Sequence, residues 1–233
     1  MATTMTRFAS ALLISCLVSM AAAAADIRIG GVSLRLPLPG GHCEIDPVLA
    51  SDARLIASLH RTVMKTGNRL LILSADCAEL KDWRNGKRLV LDHMAQFQSV
   101  LALEDGALPE TPEKMIQNYC ANVTALGDQA MPGTAPDAQN RAEQASKILR
   151  GNEMKYLGVV TAEPLICYAA TLHKFSVENA GEFTQATIIA ATVVKDKVLL
   201  SYLFAPYVGR QTIAELLTKQ RVNVTRLQRA NRN

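Results

Sequence analysis

Ala190-Ala191-Thr192-Val193-Val194-Lys195-Asp196-Lys197-Val198-Leu199-Leu200-Ser201-Tyr202-Leu203-Phe204-Ala205-Pro206-Tyr207 holds two apolar, β-branched runs on either side of a short polar break. A break of that length cannot carry the chain over a sheet into a parallel pairing, so the two runs must be antiparallel neighbours. Upstream, Met154 to Ala162, Leu165 to Val177 and Phe183 to Val194 read as strands of the same kind, divided by Glu163-Pro164 and by Glu178 to Glu182. Strands joined so closely make an antiparallel meander. Downstream, Thr212 stands at a helix start with Glu215 reaching back to it, and Ile213, Leu216, Leu217, Val224 and Leu227 form an apolar stripe that packs on the sheet.

The first half supplies further strands and most of the helices. Val32 to Leu36 alternates as a short strand before Pro37, Pro39, Gly40 and Gly41 force a turn. Ser51 caps a helix whose stripe is Leu55, Ile56, Leu59, Val63 and Met64, stopping at Gly67. Arg69 to Ala75 reads as a buried strand, and Asp76 with Glu79 makes a capping box for a short helix ending at Gly86. Arg88 to Leu101 reads as one long strand with Leu89, Leu91, His93, Ala95 and Phe97 on one face. A helical insertion then fills 111–150. Thr111-Pro112 opens its first helix and Gly127 closes it; a mobile surface loop runs to Pro136; a more polar helix covers Asp137 to Arg150. The fold class is α+β, an antiparallel meander sheet flanked by helices.

The hairpin from Ala190 to Tyr207 and the helix after it resemble the final hairpin and helix of PsbP-like and Mog-type α/β sandwich proteins. Pro39-Gly40-Gly41-His42-Cys43, Ala75-Asp76-Cys77-Ala78-Glu79-Leu80 and Trp83-Arg84 resemble a group of exported bacterial proteins with no assigned activity. The first resemblance implies a sandwich fold and a non-catalytic assembly or binding role.

The N-terminus carries Arg7, an apolar run from Phe8 to Met20, then Ala21 to Ala25 and the acidic Asp26. This is the pattern of a secretory leader over 1–25, cleaved before Asp26, and it leaves a single domain over 26–233. Leu13-Ile14-Ser15-Cys16 resembles a lipobox and offers lipid modification at Cys16 as the rival processing, and an uncleaved anchor is the third. Export places the mature chain in the periplasm or outside the cell. There Cys43, Cys77, Cys120 and Cys167 are an even set without metal-knuckle spacing, read first as disulfides. Four cysteines allow three pairings. Cys43 with Cys77 and Cys120 with Cys167 join neighbouring segments and make the shorter loops.

The chain has 25 Lys and Arg against 21 Asp and Glu, a net +4 at pH 7. Its excess lies in the last helix, where Lys219, Arg221, Arg226, Arg229 and Arg232 have no acidic neighbour, so the composition gives no support for nucleic acid binding. Lys219, Arg226 and Arg229 lie opposite the apolar stripe, a solvated face or a weak contact for an anionic membrane.

No G-x-S-x-G, H-E-x-x-H, phosphate-loop, dinucleotide or EF-hand pattern occurs, and no cofactor or metal site is expected. His93 and His173 each fall on the mainly apolar face of a strand and could converge; the plain reading of each is a hydrogen-bonded core or edge histidine. Cys77, at the first turn of a helix, would be an activated thiol if it were free. Trp83 could form an aromatic binding surface with Tyr207 beside Arg84 and Arg210, or sit in the core. The reading that follows is an exported binding or assembly module for a protein or small ligand, with a hydrolase or thiol-redox enzyme built from dispersed residues as the alternative.

Overall fold

Lys195 and Asp196 both adopt left-handed backbone angles, φ 48° and 58°, which make the two-residue turn whose twist suits a hairpin. Val194 lies opposite Lys197, so the turn is one residue tighter than the polar break. The computed structural model describes residues 24–133, 137–179 and 181–232. Its strands are β1 (Ala24–Ile29), β2 (Val32–Pro37), β3 (His42–Glu44), β4 (Asn68–Asp76), β5 (Met94–Val100), β6 (Met154–Glu163), β7 (Ile166–Val177), β8 (Gly181–Val194) and β9 (Lys197–Pro206). Its α-helices are α1 (Ala50–Lys65), α2 (Cys77–Arg84), α3 (Pro112–Ala130), α4 (Ala138–Ile148) and α5 (Gln211–Ala230).

β1 and β2 pair only with each other, while the remaining strands form one sheet in the order β3-β4-β5-β9-β8-β7-β6, antiparallel throughout. The expected α+β meander is therefore present as β6 to β9, and β9 joins it to β5. Alternation along the strands sends Ala186, Ile188 and Ala190 of β8 to one face, where they pack with Leu157, Leu172, Leu203 and the stripe residues Ile213, Leu216 and Val224 of α5. The β1–β2 hairpin shares this face and buries Ile29, Leu34 and Leu36 against Phe97, Leu199 and Leu227. Asn231, just past α5, fastens the hairpin by accepting from the Arg35 backbone N–H and donating to its carbonyl.

The other face carries α3 over Cys167, Ala169, Ile189 and Ala191, and α1 with α2 over Leu73 and Ala75. These two covers do not meet. The insertion wraps the β6 edge, since α3 lies on one face and α4 packs Ala138, Ala142 and Ala145 on the other.

Gly127 does not end its helix. α3 continues to Ala130, and Gly127 is buried where the helix crosses β6: a Cβ there would stand 2.6 Å from Gly158 Cα and 2.8 Å from Gly158 N. Backbone cannot yield as a side chain does, so Gly127→Ala should lower the unfolding free energy by about 1–3 kcal/mol through overpacking. A urea midpoint equal to that of the parent chain would contradict this close approach.

Several local expectations are corrected by long-range partners. Residues 88–93 are not strand; the Glu79 carboxylate accepts from the Asp92 and His93 backbone N–H groups and holds them out of the ladder. Glu79 consequently completes no capping box, although Asp76 does cap α2 through the Ala78 and Glu79 N–H groups. Ser51 lies inside α1, whose N-cap is Leu49, and its hydroxyl donates to Asp52. Thr212 lies in the first turn of α5 and accepts from the Val208 N–H, with Arg210 at the N-cap position. Of the leader expected over 1–25, residues 1–23, with Cys16, lie outside the described residues, as do residues 134–136 of the expected loop, whose first part is the end of α3.

Candidate functional site

Between α1 and α3 the sheet is left uncovered, and its central strands form the floor of a groove of about 870 Å³. Antiparallel register sets this floor in rows. Met94, Phe204, Thr187, Thr171 and Tyr156 lie opposite one another across β5, β9, β8, β7 and β6. One row to one side is Gln185, His173 and Met154, followed by Phe183 with Phe175. To the other side lie Gln96, Tyr202 and Ile189.

The walls are mainly apolar, with Thr62 and Thr66 the polar residues on the α1 side. Leu55, Leu59 and Val63 of α1 and Trp83 of α2 stand on one side. At the far end Phe175 stacks on Phe183 with ring centroids 5.1 Å apart and meets the His173 ring, tilted by 38°, at 3.8 Å. Leu89 and Met154 remain exposed at the rim. Beyond Tyr202 the floor passes under α3, where Tyr119 packs in the cluster of Val123 and Ile189. Burial, reinforced by the neighbouring tyrosines, pushes the Tyr119 and Tyr202 hydroxyls well above their ordinary range.

Polar groups in this apolar setting form a short inventory. Gln98 accepts from the Asn68 side chain. Gln96 and Gln185 are only 7% and 5% exposed, and their amides make no hydrogen bond to any described residue. The Thr171 and Thr187 hydroxyls, also buried in the floor, are likewise without a protein partner among the described residues. None of these atoms is fully buried, so they open into the groove, where water or a ligand can satisfy them. No Asp, Glu, Lys or Arg is among the described residues lining the groove. Its histidine, His173, titrates below its ordinary value because burial disfavours the charged ring, an effect only opposed by its hydrogen bond with the Asn152 backbone.

The sequence candidates separate in space. His173 and Trp83 line the groove. His93 does not; its Nδ1 lies 2.8 Å from Glu79 Oε1, and that carboxylate also meets Arg88 at 2.7 Å. His93 is thus a clamp on the segment leading into β5, and the two strand histidines do not converge. Glu79 sits below the ordinary carboxylate range because its bonds to His93 and Arg88 outweigh the opposing push of burial. His42, unremarked in the sequence beyond its presence, lies near this cluster with its Nδ1 3.4 Å from Ser74 Oγ. Burial lowers it to about 4, against the favourable charge of Asp76.

Trp83 and Tyr207 are not brought together, since Tyr207 packs with the α4–α5 side of the sheet and Arg84 turns instead to Asp52. Cys77 is bonded to Cys43, and Cys120 to Cys167, so the favoured pairing is the one observed and Cys77 is not a free thiol. Lys219 and Arg229 are exposed and Arg226 is half-buried on α5, behind the sheet from the groove. Among the described residues no cluster of His, Cys, Asp and Glu is suited to a metal ion, and no helix is long and apolar enough to cross a membrane.

The groove itself was not legible before the register was known. Its signal was the set Gln96, Gln98, Thr171, Gln185 and Thr187, polar residues at inward positions of apolar strands.

No family model matches the chain, and no curated protein does. Among solved structures the chain is similar to the Ran-binding protein Mog1p of Saccharomyces cerevisiae, at 12% identity over 91% of this chain and 93% of that one, with a TM-score of 0.33.

Proposed function

We propose that the protein is an exported, periplasmic binding module and that the groove between α1 and α3 is its ligand site. The observation that carries this reading is the uncovered stretch of sheet: about 870 Å³ of apolar, concave space with a few unpartnered polar groups on its floor, the form that small-molecule sites take. Export is supported by the two disulfides, which persist in oxidising compartments, and by the leader pattern ending at Ala25. Cleavage before Asp26 keeps the β1–β2 pairs from Asp26–Arg35 to Ile29–Val32. Holding a ligand requires only the walls and floor described. A hydrolase would need an acid–base pair beside the reacting bond, and among the described lining residues no carboxylate or cysteine stands with His173 to form one.

Trp83 is the one tryptophan of the chain and lines the groove, so its emission reports occupancy directly. Titration with N-phenyl-1-naphthylamine, an uncharged apolar fluorophore, should quench Trp83 saturably at one site per chain. Thr187→Phe, which fills the floor, should abolish the quenching while the protein keeps its melting temperature within a few degrees. Quenching that persists unchanged in a folded Thr187→Phe variant would place the probe elsewhere and reject the groove.

A further inference from the structure

We infer that the groove selects an uncharged amphiphile, a long-chain amide, ester or alcohol whose polar group meets Gln96, Gln185, Thr171 and Thr187, and that it rejects the carboxylate of the same chain. This rests on the binding reading above and adds the chemistry of the ligand.

The first support is electrostatic. A carboxylate or phosphate drawn into this space would leave water without meeting a cation, because no Lys or Arg lies among the described lining residues. An unpaired buried ion is strongly disfavoured. A cationic ligand meets the same obstacle, since no Asp or Glu lines the groove either. Neutral polar groups face no such penalty and would replace water on the Gln96 and Gln185 amides, which have no protein partner among the described residues.

The second support is the distribution of polarity. Apolar surface lies on both sides of the polar strip, with Leu59 and Trp83 towards α1 and Phe175 and Phe183 at the far end. Leu89 and Met154 extend it to the rim. This suits a long hydrocarbon body with few polar atoms. A peptide segment fits less well. Its backbone would bring a donor and an acceptor for every residue, and of the floor strands β5, β9, β8, β7 and β6 only β6 lies at a sheet edge, the one the 111–150 insertion wraps.

The test uses dodecanamide and dodecanoate, matched in length and differing in charge, at pH 8 and below micelle formation. Each is followed by Trp83 emission and by displacement of N-phenyl-1-naphthylamine. The amide should bind at least about tenfold more tightly than the anion. Gln185→Leu should weaken the amide by about threefold to tenfold relative to the apolar probe, the loss of one hydrogen bond, with the melting temperature retained. Equal affinity for amide and anion, or failure of both to displace a bound probe, overturns the neutral-ligand inference and leaves the groove reading standing. Failure of the probe itself to bind overturns both. A concentration-dependent change in Trp83 emission without ligand, matched by a dimer in sedimentation, would assign the groove to a second copy of the chain and overturn the inference.

Discussion

Reducing both disulfides should unfold the protein at physiological temperature. Cys43–Cys77 and Cys120–Cys167 close loops with sequence separations of 34 and 47 that do not overlap. Each therefore restricts the unfolded chain independently, by about 4 kcal/mol in the chain-entropy account. Their sum, about 8 kcal/mol, is comparable with the whole stability of an ordinary domain. The positions also matter. The first bridge ties β3 to the start of α2, which carries Trp83, and the second ties α3 to β7, so both covers of the groove face are anchored covalently. Urea unfolding with and without reductant measures the effect, and a midpoint unmoved by full reduction would show that the bridges do not support the fold. Cys120→Ser with Cys167→Ser should remove about half of it.

The next largest loss is expected from Arg84→Ala. Asp52 is 0% exposed, and its carboxylate accepts from Arg84 Nε and Nη2, from the Asp46 backbone N–H and from the Ser51 hydroxyl. Burial alone would push this carboxyl up, but those donors outweigh it and hold Asp52 below the usual carboxylate range. Removing the guanidinium strands a buried charge. The Arg84 side chain is 29% exposed, so water softens the loss to about 3 kcal/mol, the low end for a broken buried pair.

The sign of the pH effect follows. A carboxyl whose folded value is depressed stabilises the fold above its unfolded value, about pH 4, and that stabilisation disappears as pH falls through the folded value. Asp52→Asn should therefore lower stability at pH 7 and flatten the acid limb below about pH 4. Urea midpoints of both variants across this range provide the check. An Arg84→Ala protein as stable as the parent at pH 7 would mean that α1 and α2 are not joined through this pair.

The C-terminal half was legible because its signals are local. The alternation of β6 to β9 and the stripe of α5 fall within two residues of the observed bounds, since each needs only a period and a stop. Errors arose where a distant partner decided the conformation. Gly127 has the position of a helix stop but serves a crossing with Gly158, some thirty residues away in the chain. Glu79 has the spacing of a capping box, yet its carboxylate is taken by Arg88, Asp92 and His93. β1 was missed because the strand begins within the alanines of the leader pattern. The groove required the most non-local information. Gln96, Thr171 and Gln185 come from strands whose adjacency follows from β9 pairing with β5, which no turn between neighbouring segments reveals.

The proposed ligand occupies the uncovered sheet face. Amide chemical-shift mapping of the disulfide-intact protein with dodecanamide tests this most directly. The shifts should cluster at Gln96, Thr171 to Phe175, Phe183 to Thr187 and Phe204, with Trp83 at one wall. Shifts confined to α4, α5 and the β1–β2 hairpin, or none at saturating ligand, would contradict it.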